Sequence, residues 1–60
     1  MPETVIEQIL QVRNTGRTNM FDIGRVMEIA FELDLFDLVA YLDDGHTEEY
    51  ANFIITGSVN

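Results

Sequence analysis

Between Ile29 and Leu42, eleven of fourteen residues are apolar, interrupted only by Glu32, Asp34 and Asp37. A helix facing a core on one side needs about three or four apolar positions in seven, so this stretch is greasier than one buried face requires. It belongs to a chain of sixty residues. A domain of that size buries only roughly 60% of the surface its unfolded chain exposes. Two arrangements can absorb the surplus: a helical hairpin buried at the centre of a monomer, or self-association. Small chains often need partners for stability, so a homo-oligomer is expected, most simply a dimer, with Phe31, Leu35, Phe36 and Val39 at the contact. A charged residue in place of Leu35 or Phe36 should then dissociate or unfold it.

The periodicity on either side is helical. Val5, Ile6, Ile9, Leu10 and Val12 form one stripe, after Pro2 and Glu3 suited to a first turn and before Gly16 as a left-handed stop. Thr4 with Glu7 offers an alternative capping box. A second helix is expected after Thr18 or Asn19, with Asp22 in its first turn and Met20, Ile23, Met27 and Ala30 in one row. Gly24 inside it would cost roughly 1 kcal/mol against alanine, which suggests a close approach by another backbone or a bound group, or else a tolerated defect. Asp34 can cap a third helix carrying Leu35, Leu38, Val39 and Leu42 and ending at Gly45. Thr47 can cap a fourth, with Tyr50, Phe53 and Ile54 on its apolar row and Gly57 as its end. Phe53 to Thr56 has strand propensity, but nothing else in the chain would pair with it. The expected fold is all-α: a single domain over residues 1–60, a compact bundle of three to four short helices.

Charge is as unevenly placed as grease. Every basic residue is an arginine, and Arg13, Arg17 and Arg25 all fall within one short span. Residues 1–25 balance them with Glu3, Glu7 and Asp22. Residues 26–60 hold eight acids and no base, so the entire net charge of −8 lies there. Arginines gathered about the start of a helix favour phosphate or carboxylate, which makes Arg13, Arg17, Thr18, Asn19 and Arg25 the candidate ligand-binding set. The competing use is structural: the same arginines can pair with Asp22, Glu28 or the acidic half of a neighbouring subunit.

Several functions are disfavoured. The absence of cysteine removes disulfides and thiolate chemistry, and a lone histidine, His46, cannot build a multi-histidine metal centre. The run Asp43-Asp44-Gly45-His46-Thr47-Glu48-Glu49 lacks the ligand spacing of a calcium loop and reads as a solvated turn. No nucleophile–base pair is apparent; the one serine near His46 is Ser58. Neither catalysis, a cofactor nor a bound metal is expected. Helices two and three, joined near Asp34, have the order of a helix-turn-helix, but Asp37, Asp43 and Asp44 would repel phosphates. The acidic start and the lack of a long apolar run indicate neither a signal peptide nor a membrane span, so a cytoplasmic location is expected.

The run Thr15-Gly16-Arg17-Thr18-Asn19-Met20-Phe21-Asp22, the Glu32-Leu33 to Val39 hairpin and Glu49-Tyr50-Ala51-Asn52-Phe53-Ile54 together resemble a family of very small proteins from phages and prophages of Gram-positive bacteria, classed as a domain of unknown function. The resemblance covers most of the chain. It implies a viral, non-enzymatic accessory protein and carries over no assigned residues. Two modes of binding suit the chemistry: sequestration of an anionic small molecule, such as a nucleotide signal of host defence, or docking of the acidic half on a basic host protein, as an inhibitor or nucleic-acid mimic. Glu28 and Glu32 share a helical face while Asp43 and Asp44 do not; scattered acids favour sequestration, or a protein-binding role other than mimicry, over mimicry.

Overall fold

The computed structural model describes residues 1–57, and among them the chain forms four helices and no strand: α1 (Glu3–Thr15), α2 (Ile23–Glu32), α3 (Phe36–Asp43) and α4 (Thr47–Thr56). The final segment is thus helical. Each apolar row turns inward as its spacing requires. Val5, Ile9 and Val12 from α1, Val26, Ile29 and Ala30 from α2, Leu35, Leu38 and Leu42 around α3, and Tyr50 and Phe53 from α4 make one core. No polar or charged residue is buried among the described residues. The α3 helix packs against both α1 and α2 and is the centre of the assembly.

Gly16 and Gly57 end α1 and α4 in the left-handed conformation, as their positions in the sequence suggest. The starts differ more. Pro2 precedes α1 with no side-chain cap, so the Thr4–Glu7 box goes unused. The second helix begins three residues later than Asn19 would place it. Asp22 is its N-cap and accepts from the Arg25 amide at 3.2 Å. Asn19 instead folds the preceding turn, its side-chain oxygen accepting from the Phe21 amide at 2.8 Å. Both residue types cap helices well. Met20 decides between them: it is held outside the helix because its carbonyl accepts from the buried Tyr50 hydroxyl at 2.6 Å.

Asp34 does not cap α3. It ends α2 in the left-handed conformation, with φ of 60°, in a place glycine usually takes. The Asp34 amide reaches the Phe31 carbonyl and the Leu35 amide reaches that of Ala30, closing a Schellman turn. Leu35 is driven into the core by this turn and is only 7% exposed. The α3 helix therefore starts from Leu35, which has no capping side chain. Its missing acceptor comes from α1: Gln8 Oε1 accepts from the Leu38 amide at 2.8 Å, while Gln8 Nε2 donates to Asp37 at 3.3 Å. In α4, His46 rather than Thr47 occupies the N-cap, one residue early. His46 also stacks on Tyr41, with ring centroids 4.5 Å apart, across a second Schellman turn at Gly45.

Gly24 has no close neighbour. A Cβ there would meet only Asp22 Oδ1, at 3.9 Å, so neither a crossing backbone nor tight packing explains it. Gly24→Ala is expected to raise stability by roughly 0.5–1 kcal/mol, read as a higher urea midpoint with an unchanged slope. A lower midpoint would mean that glycine is required there.

Candidate functional site

The arginines do not converge on an open anion pocket. Arg17 pairs with Glu32 near the end of α2 at 2.9 Å, and Arg25 pairs with Glu28 one turn along the same helix at 2.8 Å. Both pairs are exposed, so each contributes little to stability, typically about 0–1 kcal/mol. The helix N-terminus that would complete an anion site lies at Ile23 rather than beside Thr18, and the Asp22 carboxylate already occupies it. The Thr18 hydroxyl donates weakly to the Asn19 carbonyl at 3.4 Å, and Asn19 is engaged with Phe21. Arg13 stands apart. Among the described residues it has no carboxylate partner, and it borders a cavity of ≈ 120 Å³ walled by Ile9, Met20, Phe53, Ile54 and Gly57.

Arg17→Ala is accordingly expected to change the melting temperature by no more than about 4–8 °C, the equivalent of 1 kcal/mol in a domain this small. A larger fall would give the Arg17–Glu32 pair a structural weight that its exposure argues against.

The four residues expected at a contact divide. Leu35 is core and Val39 is half-buried against the core. Phe31 and Phe36 remain open, 63% and 51% exposed, and meet edge-on with centroids 5.6 Å apart. Leu33, 43% exposed, lies on the turn between them. The surplus grease of the Ile29–Leu42 segment thus emerges at one corner, the α2–α3 joint. Helical spacing alone could not separate Leu35 from Phe36. The left-handed step at Asp34 resets the phase, sending the first inward and leaving the second outside.

Acids flank this corner. Asp37, Asp43 and Asp44 are all exposed on α3 or at its end, as is Ala40. Asp37, Ala40, Tyr41 and Asp44 line one side of a groove of ≈ 290 Å³, bounded on the other side by Pro2 and by Thr4 and Val5 of α1. The Tyr41 phenol is pushed up from its ordinary value, first by burial and then by the negative charge of Glu49. Elsewhere, no group of three or more metal-ligating side chains occurs among the described residues. His46 lies 3.8 Å from Glu49, while Ser58 falls outside the described residues. No described helix is long and apolar enough to cross a membrane.

These features define a small all-α domain whose distinctive chemistry is on its surface: an aromatic corner, an acidic α3 and paired arginines. The chain belongs to the DUF5049 family, a domain of unknown function that it matches over residues 1–58. No curated protein and no solved structure matches it.

Proposed function

We propose that this domain is a non-enzymatic binding module that docks on another protein through Phe31, Leu33 and Phe36. One observation carries the reading: of six large apolar side chains left exposed, three, Phe31, Leu33 and Phe36, fall together around the α2–α3 joint, where the two rings touch, while Leu10, Phe21 and Ile55 lie on other parts of the chain. The main apolar patch on a small domain is often where it meets a partner. Net charge is the second support, since −8 on sixty residues keeps such a patch soluble while turning away nucleic acid and anionic membrane. The resemblance to small phage and prophage proteins of Gram-positive bacteria supplies the setting: an accessory protein acting in the host cytoplasm, in counter-defence, on a host protein with a basic surface.

The test compares proteins captured from host lysate by the unmodified chain and by Phe31→Ser/Phe36→Ser. Both side chains are exposed, so the double variant should keep its helical circular dichroism while losing a captured partner. An identical set of captured proteins would overturn the reading.

Arg13 favours a second reading, sequestration of an anionic small molecule such as a nucleotide. Its guanidinium is free of carboxylates among the described residues and borders an apolar cavity. A nucleotide that raises the melting temperature of the unmodified chain, but not that of Arg13→Ala, would place the function there.

A further inference from the structure

Asp43 and Asp44 stand a full step apart around α3, yet with Phe36, Asp37 and Ala40 they fall within about 120° of arc, so the aromatic corner and the acids of α3 share one broad side. Phe36 is the first residue of α3 and Asp43 its last, with Asp37 and Ala40 exposed between them and Asp44 immediately beyond. At the helical rise this places carboxylates from next to the ring out to roughly 10–12 Å from it. Among the described residues none of the three aspartates has an ion-pair partner: Arg17 is taken by Glu32, Arg25 by Glu28, and Arg13 pairs with no carboxylate. Residues 26–60 contain no lysine or arginine. We infer that the occupant of this surface is a basic amphipathic segment of a partner protein, with an apolar residue against Phe31, Leu33 and Phe36 and lysines or arginines along α3. The inference rests on the docking reading above and names the partner's chemistry.

Size and charge both disfavour a second copy of the chain. An aromatic side chain buries roughly 150–250 Å² when fully covered, so two half-covered rings and one leucine offer on the order of 200–300 Å². Obligate dimers bury about 1,000 Å² or more on each partner. The corner suits a peptide-sized contact. A symmetric pairing would also set Asp34, Asp37, Asp43 and Asp44 of one copy near the same carboxylates of the other, and like charges across an interface are costly. A basic segment meets the same acids favourably. The groove between α1 and α3, with Asp37 and Asp44 on its wall and the Tyr41 ring beside them, can take the stem and head of one long cationic side chain.

Three labelled peptides of equal length separate the possibilities by fluorescence anisotropy. The first has leucines at helical spacing and lysines elsewhere; the second scrambles that composition to abolish the apolar face; the third replaces the lysines of the first by glutamates. The first should bind, more weakly as salt rises. Its affinity should fall about tenfold or more for Phe31→Ser/Phe36→Ser, and severalfold for Asp37→Asn/Asp43→Asn/Asp44→Asn. Equal binding of the glutamate peptide, still lost in the serine variant, would overturn the cationic partner and leave apolar docking standing. Equal binding of the scrambled peptide, untouched by the serine changes, or binding of no peptide, would overturn both. Light scattering that shows a dimer dissociated by the serine changes would make the occupant a second copy and overturn the inference.

Discussion

Tyr50→Phe is expected to destabilise the domain by about 1–3 kcal/mol, a fall in melting temperature of roughly 5–20 °C. The ring is fully buried, and its hydroxyl donates to the Met20 carbonyl at 2.6 Å. Phenylalanine keeps the packing but strands that carbonyl and releases α4 from the loop before α2. A globular chain of this size has about 3–9 kcal/mol in total, so the loss is a large share. The same burial pushes the phenol from 10.0 up to about 12. Below pH 10 it is protonated in both folded and unfolded chains and adds no pH dependence. Between pH 10 and 12 only the unfolded chain ionises, so stability contributed by the protonated phenol is lost as pH rises. Tyr50→Phe should remove most of that alkaline decline, the remainder being due to Tyr41, whose phenol is also raised. Urea denaturation at neutral pH and across this window measures both effects. Equal alkaline slopes in the two proteins would mean that the Tyr50 phenol ionises without unfolding.

Leu35→Asp and Phe36→Asp, one residue apart, should have opposite outcomes. The first puts a carboxylate into the core at the closing position of the α2–α3 turn, where nothing can solvate or pair it. The cost should be about 4 kcal/mol or more, comparable with the whole stability of a chain this size. The second removes a half-exposed ring and its edge-on contact with Phe31, worth about 1 kcal/mol. Circular dichroism should show a largely unfolded Leu35→Asp and a folded Phe36→Asp that no longer docks. A folded, cooperative Leu35→Asp would contradict the core placement.

The sequence reveals those elements whose signals are local and redundant. In α1 and α4 a helical stripe is followed by a glycine that takes the left-handed conformation, and both cues agree. The joints are less legible because Asn19, Asp22 and Asp34 can each cap a helix, fold a turn or adopt a left-handed step. The choice among them is made elsewhere, by Tyr50 reaching Met20 and by Leu35 finding the core. Both the Gln8–Leu38 and Tyr50–Met20 bonds span thirty residues of sequence, and no short-range pattern announces either. The arginine cluster is legible only in part, for a related reason. Nearness in sequence shows where charge is concentrated, whereas the helical faces decide that Arg17 and Arg25 turn to Glu32 and Glu28. The apolar density of Ile29–Leu42 does identify a surplus of grease, but the backbone at Asp34 determines which side chains carry it outward.

The Gln8 cap also sets an order of events. At eight residues, α3 is too short to persist alone in water, and its uncapped start is completed only by a side chain from α1. Phe36 and the acids behind it acquire their spacing only once the first helix has closed on the third. A chain still emerging from the ribosome, or one nicked in the loop between α1 and α2, would hold the same residues without their arrangement. The arrangement of the aromatic corner and the α3 acids is therefore a property of the finished domain, and loss of the amino-terminal helix would disperse it without altering a single residue of that surface.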